Sequence, residues 1–220
     1  MKHLDRHNIL NDSQHGFRKH RSTESQLIST VNEQAAALNT GEQRDSILLD
    51  FSKAFDKVSH RLLLHKLGFY GIRNGVLQWI KDFLTDREQV VLVEGQRSSP
   101  ADVSFGVPQG SVTGPLLFLL YINDLPDHVR HSSTSLLADD SMISRTIRNE
   151  NDASLLQKDL NNLQVWETKW KMEFNPDKCE AISITNKRKP IKAIYSIHGK
   201  TLKHVKCAKY LGVSIDNKLA

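Results

Sequence analysis

A mixed α+β fold in one continuous unit is what this sequence predicts, and three observations predict it. Short apolar runs of strand length end in carboxylates at Asp50 and at Asp139-Asp140. Amphipathic stretches of helical period lie between them, and no internal repeat, low-complexity tract or linker divides the 220 residues. A hydrophobic fraction of 39% with 25% charged residues excludes a disordered tail. The longest apolar run, 116–122, is too short to cross a bilayer and no secretory segment follows Met1, so a nuclear or cytoplasmic setting without a membrane partner is expected. Cys179 and Cys207 lack Cys-x-x-Cys spacing, which excludes a disulfide framework and a zinc site; both read as small buried residues.

The lead-in over 1–11 is polar and holds no complete element. Gln14-His15-Gly16-Phe17-Arg18-Lys19-His20-Arg21 then sets a basic cluster beside a glycine and an aromatic, ahead of a helix over 24–39 capped by Ser22 or Thr23. Arg18, Lys19 and Arg21 suit phosphate binding, and an exposed basic loop reads equally well. A buried strand follows over 46–51. Helical spacing resumes over 59–69 and again through Val76, Leu77, Ile80, Phe83 and Leu84 up to Asp86, with that apolar face expected in the core. Two strands, 89–94 and 98–105, are joined at Gly95-Gln96-Arg97.

The Gly/Pro-rich loop 106–111 opens into an apolar helix over 116–121. Such a loop lets backbone approach a ligand, although plain turn duty is its commoner use. Within 134–147 a strand, a tight turn and a second strand put Asp139 and Asp140 at a hairpin tip. Alone, Asp-Asp is an ordinary turn pair; if strand 46–51 is a neighbour in the same sheet, three carboxylates converge. A long helix over 152–172 turns Leu156, Leu160, Leu163, Trp166 and Trp170 to the core. Strands are expected over 180–185, 191–197, 201–205 and 210–215.

Net charge is +5 and unevenly spread. Lys and Arg outnumber Asp and Glu five to two over 1–23 and twelve to five over 166–220, which leaves the middle acidic. Basic ends around an acidic centre suit a polyanion held beside a metal site, against the plainer reading of a solvated basic surface.

The stretches Leu49-Asp50-Phe51-Ser52-Lys53-Ala54-Phe55-Asp56, Gly106-Val107-Pro108-Gln109-Gly110-Ser111, Ala138-Asp139-Asp140 and Tyr210-Leu211-Gly212, in this order, resemble reverse transcriptases of LINE-type, jockey-like non-LTR retrotransposons. Gly16-Phe17-Arg18 and the runs 114–118, 121–125 and 174–179 extend the resemblance from about residue 11 to the end. It implies an α+β right-hand polymerase fold, fingers and palm, with an antiparallel palm sheet backed by helices. On that basis residues 1–220 are a partial reverse transcriptase domain ending at the primer-grip segment, with the thumb absent.

The implied reaction is attack of a DNA primer 3′-hydroxyl on the α-phosphate of a dNTP, copied from an RNA template. Asp50, Asp139 and Asp140 are the implied catalytic and metal-binding carboxylates for two Mg2+ ions, with Mn2+ as a substitute. The resemblance further assigns the main chain of Phe51, Ser52, Lys53 and Ala54 to the triphosphate and Phe55 to a gate against a 2′-hydroxyl. Gln109 and Gly110 line the nascent base pair, Arg18 and Arg21 hold the β and γ phosphates, and Lys178 serves the leaving pyrophosphate. Tyr210, Leu211 and Gly212 form the primer grip, and the thumb and endonuclease of the full element are further partners.

The sequence departs from that family at Leu137, where Phe or Tyr is usual, at Phe105, where Ser is common, at Thr113, where Leu is usual, and at His20, where Gly is frequent. No departure removes a carboxylate. They keep open a second reading, a catalytically inactive nucleic-acid-binding remnant of such an element, and the absent thumb leads us to expect poor polymerisation by the isolated chain. An intron maturase or telomerase-like enzyme fits less well, because 50–56 and Asn123-Asp124-Leu125 look more like the LINE group.

Overall fold

The computed structural model describes residues 2–219. Its helices are α1 (Lys2–Arg6), α2 (Thr23–Asn39), α3 (His60–Phe69), α4 (Asn74–Leu84), α5 (Thr113–Ile122) and α6 (Glu150–Trp170). Its longer strands are β1 (Gln43–Leu49), β6 (Ser133–Leu137), β7 (Asp140–Ile147) and β8 (Glu180–Thr185). Shorter ones are β2 (Glu88–Gln89), β3 (Leu92–Val93), β4 (Gln96–Arg97), β5 (Ala101–Asp102), β9 (Ser196–Ile197), β10 (Lys200–Thr201), β11 (Lys203–Val205), β12 (Cys207–Tyr210) and β13 (Val213–Asp216). Although no linker is legible in the sequence, the chain divides into two units, Leu10–Ser52 with the residues from Asn123 onward, and the residues up to Ile9 with Lys53–Ile122.

The first unit is built on a five-stranded sheet in the order β11-β8-β1-β7-β6. β1 lies at its centre, antiparallel to both β7 and β8, with Ile47 opposite Ile143 on one side and Ala181 on the other. Because side chains alternate across a strand, Leu48, Met142, Ile182 and Ile184 share one face, where Met142, Ile182 and Ile184 form a core with Ala208, Tyr210 and Ile215, against which Leu27 and Leu38 of α2 pack. The other face carries Ile47 and Ile143 together with buried Asp45, which accepts from Gln43 Nε2 at 2.9 Å and from the Tyr195 hydroxyl at 2.7 Å. Those two bonds let a carboxylate sit in the interior without being left unpaired.

Two helices close this unit. α2 begins at a capping box in which Ser22 accepts from Ser25 N while Ser25 Oγ accepts from Ser22 N. α6 is capped by Asn149, whose side chain accepts from Asp152 N, and it ends at Lys171 in the left-handed region. Leu156, Leu160, Leu163, Trp166 and Trp170 are buried along it, as their spacing predicts. Buried Asp159 on the same helix accepts from the backbone N–H groups of Arg130 and His131, both at 2.9 Å, and so fixes the approach to β6.

Several expectations change. The lead-in contains α1, anchored by buried Leu4. The strand expected over 210–215 is two strands with a turn between them, because Leu211 and Gly212 both take positive φ and Tyr210 pairs with Val213. Of 191–197 only β9 is strand. Cys179 is buried, with its thiol pushed up to about 11 by desolvation, but Cys207 is exposed.

In the second unit α5 is apolar on every side and correspondingly buried from Leu117 to Ile122. α4 meets the core only through Ile80 and Leu84. Val76, expected in the core, is 61% exposed, and Trp79 stacks on Phe83 at 5.5 Å instead of packing inward. The strands expected over 89–94 and 98–105 occur as two-residue pieces, β2 with β5 and β3 with β4, turned at Glu94-Gly95. Val90 to Val93 are all exposed, so no packed face holds a regular ladder there. Among the described residues no helix is long and apolar enough to cross a membrane.

Candidate active site

The site starts from strand register. Leu49 of β1 pairs with Ser141 of β7, so Asp50, the residue after β1, and Asp140, the first residue of β7, lie at the same end of the sheet. Leu137 pairs with Asp140, which leaves Ala138-Asp139 as a two-residue turn with Ala138 at φ +56°. Three carboxylates therefore share one end of the sheet.

The backbone around Asp50 is fastened from a neighbouring segment. Asp50 O accepts from Asn175 N at 2.8 Å, Ser52 N donates to Glu173 O at 2.8 Å, and Asp50 N donates to the Cys179 sulfur at 3.4 Å. Phe51 stacks on Phe174 at 4.5 Å and lies 6.1 Å from the Trp166 ring. Glu167 accepts from Phe174 N and pairs with His198 Nε2 at 2.9 Å; burial is the main reason its carboxyl sits above the usual range.

Asp50 Oδ1 is buried and makes no hydrogen bond among the described residues, while Lys178 Nζ stands 3.6 Å from it. The Asp140 carboxyl lies above its ordinary pKa, first through desolvation and then through the charges of Asp139 and Asp50. Hard oxygen donors, an orphaned buried carboxylate oxygen and like-charge crowding suit a divalent cation. Among the described residues, no group of three or more His, Cys, Asp or Glu side chains stands ready to hold a metal ion. Lys178 offsets the charge of Asp50.

The sign of the Asp140 shift fixes a stability prediction. A carboxyl whose folded pKa is raised favours folding below its unfolded pKa, and that advantage is lost as pH rises through the folded value. Asp140→Asn should therefore raise the melting temperature at pH 7 in chelator-treated buffer by about 1–3 °C, with solvent screening keeping the gain small. The gain should vanish near about pH 3, where carboxylates are protonated. Differential scanning calorimetry at the two pH values checks it.

Arg18 and Arg21 fold back on their own loop. Arg18 Nη1 donates to Asn11 O at 2.7 Å and Gln14 O at 3.3 Å, and Arg21 pairs with Asp12 at 2.8 Å. Tyr210 is buried, its hydroxyl pushed up to about 12 by desolvation, and Leu211-Gly212 are the turn beside it. Gln14, to which the sequence assigned no role, is buried against the carboxylate turn. Its only legible signal was an amide two residues before a glycine.

The other expected site residues lie in the second unit. Val107 N donates to Phe55 O at 2.9 Å, Gly106 N to Val58 O at 2.8 Å, and Gln109 Nε2 to Asp56 Oδ1 at 3.1 Å. The 106–111 loop is thereby laced to the stretch that follows Ser52 in sequence. Phe55 stacks on Phe118 at 4.4 Å, and Gly114 is required where a Cβ would come within 2.4 Å of Pro108 O. Lys53, Asp56, Arg87 and Gln109 line a cavity of about 660 Å³ in this unit, next to which Gly110 stays exposed.

The chain belongs to the reverse transcriptase (RNA-dependent DNA polymerase) family, which it matches over residues 1–215. Its similarity runs in particular to the RNA-directed DNA polymerase from mobile element jockey, at 32% identity over 214 residues in Drosophila melanogaster and 35% over 218 residues in Drosophila funebris. It is also 30% identical over 227 residues to the probable RNA-directed DNA polymerase from transposon X-element of Drosophila melanogaster. The jockey matches take in 94% of this chain and 23% of each relative, the X-element match 98% and 24%.

Among solved structures, apo telomerase from Candida tropicalis truncated from its C-terminal domain superposes with a TM-score of 0.60 at 13% identity, over 94% of this chain and 40% of that one. Telomerase from Candida albicans, in complex with a fragment of telomeric RNA, gives 0.58 at 12% identity, over 98% and 38%. At such identity the agreement is one of fold, mixed α+β around a largely antiparallel sheet, to which β11 adds parallel to β8.

Proposed function

We propose that this chain is the catalytic core of an RNA-directed DNA polymerase of a jockey-like non-LTR element, with the five-stranded sheet as its palm. The observation that carries the reading is the register of β1, β6 and β7, which brings Asp50 to the end of the sheet where Asp139 and Asp140 form the turn, within a member of this family. Asp50, Asp139 and Asp140 would hold two Mg2+ ions, or Mn2+ in their place. Bound there, the ions would lower the pKa of a primer 3′-hydroxyl and offset charge on the departing pyrophosphate.

The chain's own residues have the remaining tasks. Lys178, already beside Asp50, is suited to meet the pyrophosphate and supply a proton. Arg18 and Arg21 would take the β and γ phosphates on exchanging their loop contacts for the nucleotide, as forked donors suit phosphate. The main chain from Phe51 to Ala54 would support the triphosphate, Gln109 and Gly110 the nascent base pair, and Tyr210-Leu211-Gly212 the primer end on an RNA template.

Phe55, held flat by Phe118, is the gate in this reading. Phe55→Val should raise ribonucleotide use relative to dNTP by about 10- to 100-fold, the scale on which pocket size discriminates; competitive single-nucleotide incorporation on primed RNA measures it.

The deciding experiment is magnesium-dependent addition of one dNTP to primed RNA by the 220-residue chain beside its Asp139→Asn variant. Addition that disappears in the variant supports the proposal. Primed RNA bound without any addition, by either protein, would favour the binding-only remnant, to which Leu137, Phe105 and Thr113 point.

A further inference from the structure

The turn that presents Asp139 and Asp140 is an unusual one for its sequence. Ala138 sits in the left-handed region at φ +56°, where a residue with a Cβ is disfavoured and a glycine or asparagine is the ordinary occupant. Something outside the hairpin has to hold it there.

The hold comes from residues 13–16. Residues 13–16 run beside β6 as a parallel bridge: Leu136 N donates to Ser13 O at 3.0 Å and His15 N donates to Leu136 O at 2.8 Å. The side chain of Gln14, 2% exposed, continues that ladder beyond the point where the strand ends. Its Oε1 accepts from Ala138 N at 2.9 Å, its Nε2 points to Ala138 O at 3.5 Å, and the same Oε1 accepts from Gly16 N at 2.7 Å. The amide thus meets both polar groups of one residue, Ala138, as a neighbouring strand would. Gly16 permits the approach, since a Cβ there would lie 2.5 Å from Ala138 N. Behind the amide, the Gln14 carbonyl accepts from Arg18 and Arg21 at 3.3 and 3.5 Å, and Asn11 N is tied to Asn123 Oδ1 at 2.8 Å.

We infer that Gln14 is a positioning residue of the polymerase site: through the peptide of Ala138 it fixes the turn that aims Asp139 and Asp140, and it touches neither substrate nor metal itself. This rests on the proposed polymerase reading for its functional consequence, but the clamp on the turn stands on geometry alone. An amide is the one neutral side chain of this length that both accepts and donates, so the site selects glutamine chemically. The arrangement also links the loop of Arg18 and Arg21 to the carboxylates through a single residue.

The test uses the whole 220-residue chain and three variants. Gln14→Met keeps the shape and loses all three side-chain hydrogen bonds; Gln14→Asn keeps the amide and falls short by one methylene; Gln14→Glu keeps the acceptor. Amide hydrogen exchange read residue by residue should show protection at Ala138 falling at least about tenfold in the Met and Asn variants, with Ile47 and Ile143 within about twofold of the parent, and Ala138 near parental in the Glu variant. Mn2+ affinity, read by electron paramagnetic resonance, should fall about tenfold in the Met variant, the low end of what removing a ligand's support costs. Where single-nucleotide addition is measurable, kcat should drop with KM for dNTP unchanged.

Unchanged Ala138 protection in a folded Met or Asn variant overturns the inference, and if Met disrupts the fold the Asn variant decides. A parent chain that binds no Mn2+ would count against the polymerase reading while the exchange experiment still judges the clamp.

Discussion

Asp139→Asn is expected to cut magnesium-dependent nucleotide addition by at least about a thousandfold, roughly 4 kcal/mol of lost transition-state stabilisation, while the melting temperature stays within about 2 °C. The contrast follows from where the residue sits. Asp139 is exposed in a two-residue turn, where asparagine is equally at home, so the fold has little to lose. The chemistry does, because an amide oxygen binds a divalent cation far more weakly than a carboxylate. Asp50→Asn should do the same, and the double variant should be no worse than either single one, since groups that act as a unit give non-additive losses. Stopped single-turnover assays on primed RNA measure all three. A double variant whose loss equals the product of the single losses would mean that the carboxylates act separately.

Trp166→Ala should have the largest effect on stability, a loss of about 3–5 kcal/mol. The indole is fully buried, donates from Nε1 to Asp124 Oδ1 at 2.8 Å, and stands beside the Phe51 ring. Its removal opens a cavity and takes a donor from the half-buried Asp124 carboxylate. Against a total of about 5–15 kcal/mol, and at about 2–4 °C per kcal/mol for a chain of this size, the midpoint should fall by about 10 °C. Trp166→Phe, which refills most of the space, should recover more than half of it. Thermal melts by circular dichroism give both numbers, and a drop below about 2 °C for the alanine variant would mean that the ring is not a central packing element.

What was legible in the sequence was whatever repeats or alternates. The apolar side of α6, the capped start of α2, β8 and the hairpin of β6 and β7 each follow from a local period, because burial selects one face of each element. The acidic residues were legible because they follow apolar strand runs. Register made the difference at the site: a slip of one residue between β1 and β7 would turn Asp50 to the other side, and no local pattern records that choice.

What stayed hidden depends on distant partners. Val76 and Trp79 show a helical apolar stripe, yet they remain exposed because a stripe says only that a surface is sticky. The break at Leu211-Gly212 was masked by a run of β-formers on both sides. Gln14 was the hardest to see, since its partner is a backbone peptide more than a hundred residues away, and any residue type has a backbone.

The ribbon from β2 to β5 has a consequence for handling the protein. Val90-Val91-Leu92-Val93 is a string of strong β-formers wetted on both sides, flanked by two-residue ladders that bind it weakly. Copies meeting at high concentration can stack such strings edge to edge, each supplying the hydrogen bonds that the other lacks. Gelling or fibre growth in stored samples would begin at that ribbon, and a lysine placed among those valines is the natural remedy.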